Sequence, residues 1–266
     1  MRLGAIAAVA ILTAALSAAQ WLKYPTPGVP KTPSGLPNLG APAPRTADGK
    51  PDLSGMWEAD NRPCPPGGCN DMPLSLQFLD IGVGLEGGLP YQPWAAAAVK
   101  ERKSIAGQGD HESHCLPSGV PRMLWHPTYR RIVQFPELVL FLNERNLGYR
   151  QIFIDGRPLP EDPQPSWNGY STGRWEGDTL VVETNGLRDG LWLDRAGDPL
   201  TAAAKITERF RRVNYGNLEV DVTIDDPKAY TKPWTTTVKQ FVVLNTELLA
   251  YMCGENEQDV KHFVAK

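Results

Sequence analysis

Three groups of residues have the types and spacing to do chemistry. Asp110-His111-Glu112-Ser113-His114-Cys115 crowds carboxylate, imidazole and thiol groups into six positions, with His126 nearby. Those groups bind metals, but the segment has no helical spacing to aim them at one point and Cys115 has a better use in a disulfide. No metal and no cofactor are therefore expected. Glu176 and Asp178 lie two residues apart, the kind of carboxylate pair a glycosidase uses. However, Glu176-Gly177-Asp178-Thr179 between two strands is also ordinary turn chemistry, which is the preferred reading. The third group is charged residues on apolar strand faces. Alternation puts Glu208 with Ile206 and Phe210, Arg150 with Ile152 and Ile154, and Glu144 with Leu140 and Leu142. A buried charge needs a partner. Inside a barrel, such a Glu/Arg cluster either orients a polar ligand group or holds a carboxyl at a shifted pKa for acid/base work. A structural ion-pair network accounts for the same pattern equally well. Trp167 and Tyr170 follow a loop stiffened by Pro158, Pro160, Pro163 and Pro165, so they are expected as ligand-facing walls. No P-loop, dinucleotide turn, nucleophile elbow or zincin helix is present, so no reaction is identified.

The elements that must position these groups are mostly strands. From residue 131 the chain reads strand, turn, strand, in short alternating runs: 131–135, 138–142, 149–154, 173–175, 180–184, 206–213, 218–224, 235–244 and 247–253. Leu218, Val220, Val222 and Ile224 share one face while Glu219, Asp221 and Thr223 take the other, the pattern of a sheet with one wet side. No βαβ alternation appears. The expected fold is mainly β: an antiparallel up-and-down, lipocalin- or calycin-like barrel, or a strongly curved sandwich, with about eight or nine strands. One helix is predicted over 93–103, with Pro93 at its start and Arg102 and Lys103 in its last turn.

The ends of the chain read differently. Residues 1–19 carry Arg2, an apolar run from Leu3 to Leu16 and the small residues Ser17-Ala18-Ala19, the pattern of a cleaved signal peptide. Residues 20–51 hold eight prolines and are read as a Pro-rich linker or wrapping arm. Residues 52–266 are read as a single β-rich domain, with no transmembrane segment once the signal is removed. With 27 Lys+Arg against 30 Asp+Glu and a net charge of −3, the chain lacks the clustered basic surface that nucleic acid demands. Export to the periplasm or outside the cell permits disulfides. Cys64 and Cys69 flank Pro65-Pro66-Gly67-Gly68 and suit a local bridge, which leaves Cys115 with Cys253. That long closure would stabilise the fold by roughly 4 kcal/mol or more.

Two resemblances bear on the fold. Gly55-Met56-Trp57 is similar to the Gly-x-Trp entry of lipocalin-type barrels, which implies that Trp57 closes the barrel floor beneath an arginine of a late strand, Arg209 or Arg211. Trp57 as a plain core aromatic is the competing reading. The motif W-x-G-x-S-x-G-x-W-E-G-D-T-L-V-V over residues 167–182, together with Asp155-Gly156-Arg157, Glu208-Arg209-Phe210, Cys115 to Arg122, Thr223 to Pro227 and Cys253 to Asn256, resembles an uncharacterised family of secreted bacterial β-rich proteins. The resemblance implies export and names no chemistry. Its members often carry His where this chain has Tyr170, so a site dependent on that imidazole would be missing here. The function expected is a secreted barrel that holds a partly apolar small molecule, with Trp167, Tyr170, Glu144, Arg150 and Glu208 around it. The alternative is a cofactor-free lyase, isomerase or hydrolase in which Glu208 or Glu176 is the acid/base and Arg150 stabilises an anion. Nothing in the sequence sets the oligomeric state.

Overall fold

The computed structural model describes residues 25–60, 76–105 and 107–255. The barrel expected from the hairpin series is present and closed. Its strands are β1 (Gly55–Ala59), β2 (Arg130–Gln134), β3 (Leu138–Asn143), β4 (Tyr149–Phe153), β5 (Tyr170–Glu176), β6 (Thr179–Asn185), β9 (Lys205–Arg212), β10 (Asn217–Asp225) and β11 (Trp234–Val242). A small hairpin of β7 (Leu191–Trp192) and β8 (Pro199–Leu200) interrupts the series. Around the barrel the order is β1-β11-β10-β9-β6-β5-β4-β3-β2, so nearly every strand pairs with its sequence neighbour and β11 returns to β1. Two short helices, α1 (Leu76–Leu79) and α2 (Pro93–Ser104), lie outside it.

Side-chain alternation determines what fills the lumen. In β9 the inward set is Ile206, Glu208, Phe210 and Arg212, and in β10 it is Leu218, Val220, Val222 and Ile224. Opposite them Phe141, Ile152, Leu180 and Val182 are fully buried. The lumen is thus a packed core. That core continues without a break into a cap containing Trp125, Leu191, Leu193 and Tyr230, tied down by the Trp125 indole N–H donating to the Leu193 carbonyl at 2.7 Å.

Several expectations are corrected. The arginine over Trp57 is Arg212, 4.9 Å from the ring, and it also donates to the carbonyls of Ser54 and Tyr215. Arg209 and Arg211 point outward to Glu176 and Glu219, because the parity that turns Phe210 inward turns its odd-numbered neighbours out. In β3 the buried residues are Val139 and Phe141; Glu144, with Leu140 and Leu142, belongs to the other face. A strand apolar on both faces cannot declare its inner one. Residues 247–253 form no strand, because β11 already pairs with β1 and the closed barrel offers no free edge. Finally, β4 and β5 run parallel. Parallel neighbours need a crossover, and the proline-bearing loop 154–169 supplies it.

The arm wraps rather than hangs. Tyr215 and Gly216 donate backbone N–H groups to the carbonyls of Ala41 and Leu39, and Arg45 pairs with Asp178. Gly216 is needed there, since a Cβ would meet that of Leu39 at 2.7 Å. The segment after β11 is anchored by the Cys115–Cys253 disulfide across a separation of 138 residues. Cys64, Cys69 and residues 1–19, read above as a signal peptide, lie outside the described residues. No helix among the described residues is long and apolar enough to cross a membrane.

Replacing both Cys115 and Cys253 by Ser is expected to lower unfolding stability by up to about 5 kcal/mol, the loop-closure entropy for so long a separation. Urea unfolding of the oxidised protein and the double variant measures it.

Candidate functional site

The parallel seam is the weak place in the barrel wall. β5 and β6 stay in register over seven pairs, whereas β4 and β5 share two, Ile152 with Ser171 and Phe153 with Thr172. Residues Tyr149 to Gln151 therefore run past the start of β5, and side chains must hold the gap. From inside, Arg150 does so: Nη1 donates to Glu208 Oε1 at 2.8 Å, Nη2 to Glu208 Oε2 and to Thr184 Oγ1 at 3.0 Å, and Nε to Ser171 Oγ at 3.2 Å. One guanidinium thus links β4, β5, β6 and β9. From outside, Asn168 Nδ2 donates to the Tyr149 carbonyl at 2.7 Å. Gly169 follows at φ +60°, where a Cβ would strike the Asn185 carbonyl at 2.3 Å, so only glycine brings Trp167 and Asn168 this close to β6.

Over the gap lies a groove of about 520 Å³ lined by Tyr149, Phe153, Trp167, Tyr170 and Ser171, with Pro117 and Leu147 at its edge. Its walls are pre-set by stacking. Phe153 and Tyr170 stack at 5.3 Å. Arg157 lies 3.9 Å over Phe153 and donates to the Tyr170 hydroxyl at 3.0 Å. Trp167 is held between Arg188 at 4.2 Å and His111 at 5.2 Å. The groove shares Pro117, Asn146, Gly148 and Asn168 with a narrower pit of about 60 Å³, which is also lined by His126, Asn143 and Arg145.

Beside the pit is a buried charge network. Arg122 donates twice to Asp110, at 2.7 Å each, and lies 2.9 Å from Glu112 Oε2. Burial pushes the Glu112 carboxyl up. The Thr128 N–H donates to His126 Nδ1, which leaves the ring proton on Nε2, facing Glu112 at 3.7 Å. Burial and the fields of Arg145, Arg130 and Arg122 push the His126 imidazole down to about 2, so it is neutral.

The residues singled out in the sequence divide accordingly. Trp167, Tyr170 and Arg150 meet at the groove. Glu208 lies directly behind the gap but is fully buried and bonded to Arg150, so no acid or base there can reach a substrate. Glu144 is elsewhere, accepting from the backbone N–H of Tyr129 and Leu249. Glu176 is exposed at the far end of β5, paired with Arg209 and Arg174; those cations hold its carboxyl below the usual range. The segment Asp110 to Cys115 disperses its groups: Asp110 and Glu112 go to Arg122, His111 lies against the Ser118 carbonyl, His114 against that of Gln108, and Cys115 is in the disulfide. Sequence reasoning missed the grouping of Arg122, Arg130, Arg145 and His126. The parity of Arg130 with Ile132 in β2 was the available signal.

Among the described residues, Asp80, Asp194 and Asp198 are a carboxylate group close enough to hold a cation, with oxygens within 4.8 Å of one another. Asp194 already accepts from the backbone N–H of Ile81, Gly197 and Asp198, and Asp80 accepts from Lys103. Burial and the neighbouring Asp194 raise the Asp198 carboxyl well above the usual carboxylate range, and its Oδ1 accepts from the Tyr91 hydroxyl.

No protein-family model matches the chain, and no curated protein matches it.

Glu208→Leu alone, which strands a buried guanidinium, is expected to cost about 3–5 kcal/mol, and Arg150→Met/Glu208→Leu to recover most of it. Denaturant unfolding of the single and double variants decides; equal losses would show that the pair is not one unit. Asp198 binds its proton more tightly folded than unfolded. Its contribution is therefore full below the unfolded value near 4 and lost as the pH rises toward the raised folded value. Asp198→Asn should flatten the decline in melting temperature over that range.

Proposed function

We propose that this is an exported β-barrel that binds a partly apolar small molecule in the groove over the β4–β5 seam. The observation that carries the reading is the groove itself: about 520 Å³, within the usual range for small-molecule sites. Its aromatic walls are already fixed by Arg157 and Arg188, so little ordering entropy is lost on binding. A groove is supported over the lumen because Phe141, Ile152 and Phe210 are fully buried in the barrel interior with Glu208. In this reading Arg150 lines the floor of the groove with its guanidinium turned to Glu208, which holds the wall from behind. Export rests on the signal pattern of residues 1–19 and is supported by the Cys115–Cys253 disulfide.

The test uses a neutral apolar fluorophore, N-phenylnaphthylamine, titrated by fluorescence. One equivalent is expected to bind, with affinity reduced about tenfold or more in Trp167→Ala, a loss typical of a stacked aromatic anchor. Glu144→Gln should leave it unchanged. Unaltered binding by a folded Trp167→Ala variant would reject the groove.

A further inference from the structure

The groove ends in the pit, and the pit has a charge character the aromatic walls do not. Arg145 lines it. Its Nη2 donates to the Glu112 carbonyl at 2.7 Å and approaches Cys253 Sγ at 3.7 Å, while its Nε is buried with no hydrogen-bond partner. Among the described residues no carboxylate forms an ion pair with it. Glu112 feels its charge, but the Glu112 carboxylate is bonded to Arg122.

A second arginine behind the pit is in the same condition. Arg130 is fully buried and donates to the carbonyls of Leu124, His126 and Thr128. Glu58 is the carboxylate whose field it feels, and no ion pair joins them. In the adjoining network Asp110 is held by both terminal nitrogens of Arg122, and Glu112 meets Arg122 through Oε2, its Oε1 having no hydrogen-bond partner. A buried guanidinium without a counter-charge is costly. Arg145, half-buried with its Nε enclosed, presents a charge without an ion-pair partner among the described residues to the pit, and such an arrangement recognises an anion. His126 supplies no counter-charge, being held neutral by burial and by the fields of Arg145, Arg130 and Arg122.

Building on the groove reading, we propose that the pit takes the carboxylate head of an amphipathic ligand whose aromatic or aliphatic body lies along Trp167 and Tyr170, with Arg145 as its counter-charge. The pit volume of about 60 Å³ admits a head of carboxylate size and excludes a ring. Asn168 Oδ1, also buried without a donor, is left to accept from a hydroxyl or a water that accompanies the head. The ligand class is thus arylalkanoic or short fatty acids rather than their neutral amides or alcohols.

The experiment titrates the mature protein with a series of ω-phenylalkanoic acids and the matching primary amides, by calorimetry. The acids are expected to bind about tenfold or more tightly than the amides. That preference should vanish in Arg145→Gln and also in Asn168→Asp, which puts a negative charge at the pit without touching Arg145. Trp167→Ala should weaken acid and amide alike. If acids and amides bind equally and both lose affinity in Trp167→Ala, the carboxylate assignment falls and the groove stands. If no member of either series binds, or binding is indifferent to Trp167→Ala, both fall. Arg145→Lys separates charge from geometry: it should retain part of the preference if the charge is what the head meets, and retention in full by a folded Arg145→Gln variant overturns the proposal.

Discussion

The ion pair between Arg150 and Glu208 holds the barrel where its backbone does not. Elsewhere in the wall, ladders of five or more register pairs join most neighbouring strands, but β4 and β5 share two. A parallel joint of that length has few hydrogen bonds with which to close a sheet. The guanidinium of Arg150 bridges it by meeting Glu208, Ser171 and Thr184 from within. Desolvating two charges is unfavourable in itself, and the pair is tolerable because Nε and both terminal nitrogens of Arg150 find acceptors. Its main consequence is to fix which strands meet.

The same weakness makes room for the groove. Where β4 runs past β5 the wall is open, and the crossover loop descends onto it with Trp167 and Asn168. Stacked guanidinium groups then hold the aromatic walls from outside while Arg150 holds the strands from inside. The lumen is filled by a packed core that continues into the cap. The interior of a small barrel is either filled by side chains or holds one small ligand, and with Phe141, Ile152 and Phe210 inside recognition is proposed at the seam.

Much of the architecture was readable in the chain. Period-two alternation from Leu218 to Ile224, with its wet face, located β10 correctly, and the turns at Asn214–Asn217 and Glu176–Thr179 located two hairpins. Pro93 and the basic pair Arg102 and Lys103 marked α2. The shared face of Glu208 with Ile206 and Phe210, and of Arg150 with Ile152, announced buried charges. Less was readable where two faces were equally apolar, as in β3, where Glu144 was assigned inward and lies outward. The strand expected over 247–253 failed because local β-propensity cannot tell that the barrel is already closed.

What the sequence determined by itself was local: period, turns, caps and the parity of strands with one wet face, all of which depend on neighbours within a few residues. It therefore pointed to a β-barrel or a strongly curved sandwich with charges on its apolar faces, and to Trp167 and Tyr170 beyond a rigid loop. Only the tertiary structure decided that Arg150 meets Glu208 across 58 residues, that β4 lies parallel to β5, and that Arg145 beside the pit has no ion-pair partner among the described residues. These are properties of strand order and closure, set by contacts between distant segments whose spacing no local pattern encodes.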